Sequence, residues 1–231
     1  MNSNFNYRFL CVIPARGGSK GIPRKNLRTV GGRPLIEWSI RSGQESIYSK
    51  SVVVSTDDDE IAQIASLSGA LVVARPAKLA TDSSQTELTM AHTLDVVPDA
   101  DSYSHMVLLQ PTTPIRRVGL LDQAIKKLLS DSSDSLVGVV EVSPFIWRGS
   151  TNDAIPQYDV AQRRMRQSFV SSDLSYRETG TIYITTVNAF RESGCRVSGK
   201  TSLFMLNTDE GLDIDTEFDL QLADVILRPH L

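Results

Sequence analysis

The chain has 231 residues, enough for one domain with a full hydrophobic core, and its formal net charge is only −3. The near-neutral charge does not indicate a basic surface for nucleic acid. No apolar run approaches the roughly 20 residues that span a bilayer, and the first residues lack the apolar core of a signal peptide. We therefore expect a cytoplasmic protein with neither a nucleic-acid nor a membrane partner. Its two cysteines, Cys11 and Cys195, have no partner at metal-ligand spacing and are expected to be structural thiols.

Short apolar runs alternate with helical patterns along the chain, which is typical of an α/β fold with a mostly parallel sheet. The apolar runs predict strands at 9–13, 52–55, 70–74, 106–109, 136–142, 181–185 and 203–206. The helical patterns predict helices near 34–40, 57–65, 85–96, 119–129 and 217–227. Ligands of such sheets bind beyond the carboxyl ends of the strands. We therefore expect Arg16, Asp57, Gln110 and the acids after Leu206 to converge on one cleft.

The loop after the first strand, residues 14–26, concentrates glycines and positive charge. Pro14 ends the strand pairing, and Gly17 and Gly18 let the backbone approach a ligand and turn its N–H groups toward an anion. The cations of this loop are Arg16, Lys20, Arg24 and Lys25. The spacing matches neither the phosphate loop of ATPases nor the Gly-x-Gly-x-x-Gly pattern. We interpret the loop as a triphosphate cradle of a different nucleotide fold, rather than as a solvated basic loop.

A pair of acids forms the second chemical pattern. Asp213 and Asp215 flank the apolar Ile214, so an extended segment would put both carboxylates on one side and Ile214 toward the core. Such oxygen ligands suit Mg²⁺, which proteins hold through one or two carboxylates together with substrate phosphates. The alternative is that Asp215 or Thr216 caps the helix at 217–227, with acids placed for its dipole.

Residues 143–176 interrupt the alternating pattern. The segment contains prolines, a tryptophan and the cations Arg163, Arg164 and Arg166, but it has no regular period. A structureless connector of this length is unusual inside a compact domain. We therefore expect a single domain over 1–231, with 143–176 as an arm that packs on something else.

The order of these motifs resembles the sugar nucleotidyltransferases, and most closely the acylneuraminate cytidylyltransferases, also called CMP-sialic acid synthetases. The resemblance begins at the glycine-rich loop and continues in register at residues 53–57, 75–76, 108–116, 177–183 and 212–220. It implies a Rossmann-like three-layer nucleotidyltransferase fold with a mostly parallel sheet and a protruding dimerisation arm. In that family the arm reaches a second subunit of a homodimer and contributes a cation to the partner's active site.

The resemblance also implies roles for individual residues. The residues that would bind the nucleotide are Ala15, Arg16, Gly17, Gly18, Ser19, Lys20, Lys25, Asn26, Arg75, Ser84 and Thr86. Those that would bind the sugar are Gln110, Arg166, Arg177 and Thr179. The catalytic residues would be Arg16, Lys20, Asp213 and Asp215, the last two as ligands of Mg²⁺. Without the resemblance, Asn26, Arg75 and Gln110 could each serve only local structure.

The implied reaction joins CTP to the anomeric hydroxyl of a nine-carbon 2-keto sugar acid and gives a CMP-sugar for cell-surface glycans. The hydroxyl attacks the α-phosphorus and pyrophosphate leaves, a step that depends mainly on positioning and charge neutralisation. No histidine base is needed, and His92, His105 and His230 lie outside every motif.

One departure from the family affects the identity of the sugar. Sialic acid enzymes commonly have Arg-Pro-Asn-Gly-Ala where this chain has Arg177-Glu-Thr-Gly-Thr181, so that the hydroxyl of Thr179 replaces an amide. Legionaminic, pseudaminic or deaminated neuraminic acid could therefore replace sialic acid. Two further alternatives are a transferase of the same fold that uses another sugar or nucleotide, and a catalytically silent nucleotide-binding module. The presence of both Asp213 and Asp215 argues against the silent module.

Overall fold

The computed structural model describes residues 7–170 and 173–228, except for the side chain of Arg166. Its strands are β1 (Phe9–Pro14), β2 (Thr29–Val30), β3 (Arg33–Pro34), β4 (Ser49–Thr56), β5 (Leu71–Ala74), β6 (His105–Leu108), β7 (Ser135–Val142), β8 (Trp147–Arg148), β9 (Ile155–Pro156), β10 (Ser175–Thr186) and β11 (Thr201–Met205). Its α-helices are α1 (Leu35–Gln44), α2 (Asp59–Leu67), α3 (Thr86–Val96), α4 (Leu120–Asp131), α5 (Val187–Ser193) and α6 (Glu217–Leu227).

Seven strands form the central sheet in the order β11-β7-β10-β6-β1-β4-β5. Strand β10 is antiparallel to both of its neighbours, and every other pair in this sheet is parallel. The predicted mostly parallel sheet is confirmed, and each of the seven predicted strands overlaps one strand of it. Strand β10 is longer than predicted because it begins at Ser175, where it continues to pair with the end of β7.

Helices cover both faces of the sheet and produce the predicted three layers. On one face Ile36 of α1, Ile61 of α2 and Ile125 of α4 belong to a core that includes β1 and β4 side chains. On the other face Met90 of α3 and Phe190 of α5 belong to a second core. Helix α5 was not predicted, since its seven residues are too few to show a helical period.

Helices α2 and α6 start at side-chain caps. Asp58 caps α2 by accepting the backbone N–H groups of Glu60 and Ile61 at 3.1 and 3.0 Å. Thr216 caps α6 in a capping box with Asp219. The alternative interpretation of the acidic segment is therefore correct for Thr216, whereas Asp213 and Asp215 precede the helix and do not cap it.

A third, smaller core joins the glycine-rich loop to the acidic segment. It contains Ile22 of the loop and Ile214, both fully buried, together with Leu220 of α6. Because these side chains pack together, Lys25 of the loop is held close to Asp215 although 190 residues separate them in the chain. The prediction that Ile214 points toward the core is confirmed.

The arm leaves the domain after β7 and returns at β10. It contains the two-stranded β8–β9 hairpin, which was not predicted, and an aromatic cluster of Phe145, Tyr158 and Phe169. Many of its apolar side chains are exposed, among them Trp147, Ile155 and Met165. The predicted segment, 143–176, begins directly after the last residue of β7, Val142, and overlaps the first two residues of β10, which starts at Ser175.

Candidate active site

A cavity of about 400 Å³ lies beyond the carboxyl ends of β1, β5 and β6. It is where an open α/β sheet is expected to bind its ligand. The predicted site residues that line it are Arg16, Ser19, Lys20, Lys25, Asn26, Arg75, Ser84, Thr86, Gln110 and Asp215. Arg16, Gln110 and Asp215 thus meet in one cleft, as predicted. Asp57 does not line this cavity, so the prediction is wrong for it; its carboxylate accepts the backbone N–H of Gly17 instead.

The two cations that are predicted to bind phosphate converge on one carboxylate. Arg16 Nη1 lies 2.6 Å from Asp82 Oδ1, and Lys20 Nζ lies 2.9 Å from Asp82 Oδ2. Hydrogen bonding from Lys20 helps to lower the pKa of the Asp82 carboxyl, so this group is charged at neutral pH. Asp82 therefore holds the two cations together at the cavity wall.

Other parts of the loop serve its own structure. The backbone N–H of Gly17 donates to Asp57 Oδ1 at 3.0 Å, and that of Ala15 donates to the Ser55 carbonyl at 3.0 Å. Both N–H groups are therefore bound within the protein itself. A side chain at Gly17 would collide with Asp58, since its Cβ would lie 2.5 Å from Oδ2, whereas Gly18 faces open space.

Arg24 does not join the cluster of cations at the cavity. Its backbone is in the left-handed region, with φ of 56°, and its guanidinium contacts Asp58 at 2.7 Å and Glu60 at 2.6 Å at the start of α2. The expectation that all four loop cations face one ligand is therefore wrong for Arg24, because the acids of the α2 cap bind it.

Lys25, Asn26 and Arg75 combine local contacts with a place in the cavity wall. Lys25 Nζ contacts the Ile214 carbonyl and lies 3.2 Å from Asp215 Oδ1. Asn26 donates to the Arg16 carbonyl at 3.0 Å, which closes the loop. Arg75 Nη2 donates to the Ser55 carbonyl at 2.6 Å, and burial lowers the pKa of its guanidinium to about 10.

The two acids differ in their surroundings. Asp215 is exposed at the cavity wall, but Asp213 is partly buried, and its Oδ1 atom is buried with no hydrogen-bond partner among the described residues. Burial raises the pKa of Asp213, and hydrogen bonding to Thr112 opposes that shift. The described residues contain no group of three or more His, Cys, Asp or Glu that could hold a metal ion. A buried, unpartnered carboxylate oxygen beside Asp215 nevertheless suits a cation that takes its other ligands from substrate and water.

The predicted sugar residues are placed unequally. Gln110 lines the cavity and packs on Gly180, where a Cβ would lie 2.1 Å from Gln110 Oε1. Arg177 is exposed and donates to the Gly211 carbonyl at 3.1 Å. Thr179 is buried, and its hydroxyl donates to Thr181 Oγ1 at 3.0 Å, so its position does not favour the predicted sugar contact. The side chain of Arg166 lies outside the described part of the chain.

Several residues that line the cavity were not among the predicted ones, and Asp82 and Thr112 matter most to its contacts. Asp82 lines the cavity and pairs with both phosphate-site cations, and Thr112 lines it next to Gln110. The position of Thr112 directly after Gln110-Pro111, at a predicted strand end, is a signal that sequence reasoning could have used. Nothing in the sequence around Asp82 indicates that its partners lie more than 60 residues away.

Comparison with known proteins establishes the family. A family model described as "Cytidylyltransferase" matches residues 10–171. The chain belongs to this family. Among its relatives, the pseudaminic acid cytidylyltransferase of Campylobacter jejuni is 31% identical over 226 residues, covering 95% of this chain and 96% of the relative. The CMP-N,N'-diacetyllegionaminic acid synthase of Legionella pneumophila is 34% identical over 230 residues, covering 96% and 97%.

A solved structure supports the fold of this cytidylyltransferase family member. The structure of CMP:2-keto-3-deoxy-manno-octonic acid synthetase complexed with CTP matches with a TM-score of 0.69. It is 16% identical and covers 95% of this chain and 98% of the other. At this identity the likeness shows the three-layer fold alone. Within the described residues, no helix has both the length and the apolar character needed to cross a membrane.

Proposed function

We propose that this protein is a nucleotidyltransferase that condenses CTP with a nonulosonic acid, a nine-carbon 2-keto sugar acid, to give the CMP-sugar and pyrophosphate for cell-surface glycans. The observation that carries the proposal is one cavity lined by Arg16 and Lys20 on one part of its wall and by Asp215 on another, with Asp213 beside it. Two relatives that match nearly the whole chain are named for this class of reaction.

The loop residues would hold the triphosphate. Arg16 and Lys20 already bind one carboxylate with two oxygens, which is the arrangement that the β- and γ-phosphates of a nucleotide offer. Both cations would neutralise charge on the leaving pyrophosphate as the bond between the α-phosphorus and the bridging oxygen breaks. Ser84 and Thr86 bring hydroxyls to the same cavity, and Asn26 and Arg75 bring hydrogen-bond donors for the base and ribose.

Asp213 and Asp215 would hold Mg²⁺ together with phosphate oxygens of CTP and water. The metal would supply charge stabilisation at the α-phosphate and would lower the pKa of the attacking hydroxyl. Lys25 contacts the Ile214 carbonyl and Asp215, so it orients the segment that carries both acids. The new bond joins the anomeric oxygen to the α-phosphorus, and the hydroxyl proton passes to solvent.

The sugar would bind between Gln110 and the start of β10. Gln110 offers an amide to the sugar, and the exposed Arg177 offers a cation to its carboxylate. Because Thr179 is withdrawn into the sheet and its hydroxyl is bound there, its side chain would not contact the sugar.

We further propose a homodimer in which the arm of one subunit completes the site of the other. The arm has exposed apolar side chains that are suited to an interface, including Trp147, Ile155 and Met165. Two of its arginines are engaged inside the arm: Arg163 lies over the Phe145 ring at 4.3 Å, and Arg164 pairs with Asp173 at 2.8 Å. We assign the cation that reaches the partner's site to Arg166.

The test is a matrix of donors and acceptors. Purified protein with Mg²⁺ is given CTP, UTP, GTP or ATP, each with sialic, legionaminic, pseudaminic or deaminated neuraminic acid. Pyrophosphate release is followed, and the product is weighed by mass spectrometry. We expect turnover with CTP and at least one of the acids, and a product that has the mass of its CMP-sugar.

Two outcomes would contradict the proposal. Faster turnover with another nucleotide would indicate a different transferase of the same fold. Tight CTP binding without turnover on any acid or related sugar would favour the silent nucleotide-binding module.

A further inference from the structure

Arg116 joins three elements behind the cavity. Its Nε donates to the Thr181 carbonyl of β10 at 3.0 Å, and its Nη2 donates to the Gln110 carbonyl after β6 at 3.0 Å. Its Nη1 donates to Ser39 Oγ of α1, also at 3.0 Å. One planar guanidinium therefore bridges two carbonyls and a hydroxyl that belong to different parts of the fold.

The charge of Arg116 is not balanced by a nearby acid. In the part of the chain that the structure describes, its contacts are with carbonyl and hydroxyl oxygens, and it forms no ion pair. Burial lowers the pKa of the guanidinium, yet an arginine stays protonated at neutral pH. Burying such a charge is costly, so stability alone is a weak reason for an arginine at this position.

The turn that Arg116 holds, residues 110–114, forms part of the cavity wall. Gln110, Pro111 and Thr112 all line the cavity. The Gln110 carbonyl also accepts the backbone N–H of Thr113 at 3.3 Å and its hydroxyl at 3.1 Å. A shift of this carbonyl would therefore move the side chain of Gln110 within the cavity.

The same turn supports the acidic segment. The Thr112 carbonyl accepts the backbone N–H of Ile214 at 2.8 Å, and Ile214 stands between Asp213 and Asp215. Hydrogen bonding to Thr112 also lowers the pKa of Asp213 against the effect of burial. The position of the turn is thus linked both to the sugar side of the cavity and to the acids.

We propose that Arg116 is a positioning residue for nucleotidyl transfer: by binding the Gln110 and Thr181 carbonyls together, it fixes the turn 110–114 and, through it, Gln110 and the Asp213–Asp215 segment. The kinetic consequence rests on the proposed function, whereas the hydrogen-bond arrangement does not. Arg116 touches neither CTP nor sugar in this scheme. It acts through the backbone that it holds.

The first test needs no substrate. Arg116→Lys keeps a positive charge, but a single ammonium cannot bridge two carbonyls with the geometry of a guanidinium. Amide hydrogen exchange is measured by NMR for Thr113 and Ile214, whose N–H groups bind the turn carbonyls. We expect both amides to exchange about tenfold faster than in the unaltered chain, beyond any change shared by the whole domain.

Two further variants make this test decisive. Leu128→Ala removes a buried side chain of α4 and lowers global stability without touching the turn. Thr113→Val removes one hydroxyl that donates to the Gln110 carbonyl. It should speed exchange of the Ile214 amide in the same way as Arg116→Lys but by a smaller factor. This variant keeps the proposal testable if the lysine variant does not fold. The two variants are compared under conditions that give them the same global free energy of unfolding. If the amides of Thr113 and Ile214 then exchange no faster in Arg116→Lys than in Leu128→Ala, the positioning role is wrong.

The second test measures steady-state kinetics with the sugar acid that the substrate matrix identifies. For Arg116→Lys we expect the KM for the sugar and the Mg²⁺ concentration for half-maximal rate to rise about tenfold, with a smaller change in the KM for CTP. If Arg116→Lys lowers the thermal midpoint of unfolding but leaves the KM for the sugar and the half-maximal Mg²⁺ concentration unchanged, Arg116 has only a structural role and the inference is overturned. If the unaltered chain turns over no acid, the proposed function fails, while the exchange comparison still decides whether Arg116 fixes the turn.

Discussion

Asp213 and Asp215 are two residues apart, yet their surroundings differ in a way that suits one shared cation. Asp215 is exposed beside Lys25, and Asp213 has a buried oxygen without a hydrogen-bond partner among the described residues. Neither carboxylate caps α6, since Thr216 and Asp219 do. Removing either charge should therefore affect catalysis far more than folding.

We expect Asp213→Asn and Asp215→Asn each to reduce kcat by about 100-fold or more, because the lost charge would act on the transition state. Steady-state rates over a range of Mg²⁺ concentrations and the thermal midpoint of unfolding are measured together. Asp209→Asn is the control, because Asp209 is an exposed acid of the same loop that does not line the cavity. Near-normal turnover in either variant at saturating Mg²⁺ would remove that residue from the metal site.

Asp82 competes with phosphate for Arg16 and Lys20 if these cations bind CTP, because both of its oxygens are bound to them. We expect Asp82→Asn to lower the KM for CTP by about two- to tenfold, as is usual when exposed ion pairs no longer have to be broken. Asp101→Asn, at an exposed acid whose described ion pair is with Arg191, should leave the KM unchanged. A higher KM for CTP in Asp82→Asn would mean that Asp82 helps to bind the nucleotide instead.

The predicted positions of individual side chains agree with the structure where neighbouring residues in the chain determine the direction of the side chain. They differ where residues far away in the chain determine it. Arg16, Lys20 and Asp215 reach the cavity because a strand end or a buried isoleucine beside them fixes their direction. Arg24 turns away because the acids of the α2 cap, more than 30 residues along the chain, bind its guanidinium. The direction of Thr179 depends on the irregular pairing of β10 with β7, which no local pattern reveals.

At the scale of elements, the long periodic segments were predictable and the short ones were not. The strands β1, β4 and β6 each contain an apolar run whose residues are buried, because helices cover both faces of the sheet there. The hairpins β2–β3 and β8–β9 have only two residues per strand, too few to show an alternating pattern. A cap at Asp215 or Thr216 was predicted from the sequence as an alternative, and the structure was needed to assign it to Thr216 in a capping box with Asp219.

The β1–β6 pair carries a titrating group whose effect on stability can be measured. His105 of β6 is buried and stacks on Phe9 of β1 with ring centroids 4.5 Å apart, and burial lowers its pKa to about 4. In the unfolded chain a histidine has a pKa of about 6.5, so the unfolded state binds more protons between these values. Stability is therefore retained above about pH 6.5 and is lost as the pH falls toward 4.

We expect the free energy of unfolding to fall by about 2 kcal/mol more in the unaltered chain than in His105→Phe when the pH is lowered from 7.5 to 5. Phenylalanine keeps an aromatic ring against Phe9 and cannot take up a proton. Urea unfolding at the two pH values gives the comparison, and carboxylates that titrate in both proteins cancel in the difference. Equal pH dependence in the two proteins would contradict the assigned pKa shift.

At the scale of the whole molecule, the arm is the segment whose apolar side chains are not buried by the cores of the domain. The sheet and its two helical layers form closed cores without it, whereas the arm exposes Trp147, Ile155, Val160 and Met165. Its aromatic cluster gives it local order, and Trp147 makes an edge contact with Tyr158 of that cluster, but all four of these side chains stay more than half exposed. A second copy of the chain is the partner that the family resemblance implies, and its active site is the place where an arm cation would act.

A mixing experiment tests this arrangement. Arg166→Ala and Asp213→Asn should each be inactive alone, because each lacks one part of every site. A hybrid dimer would have one site with both defects and one with neither, so equal mixing with free subunit exchange should restore about one quarter of the normal activity, half of the dimers being hybrids with one good site each. Sedimentation checks the dimer, and labelled subunits check the exchange. A fully active monomer, or no recovery despite proven exchange, would mean that each arm serves only its own subunit.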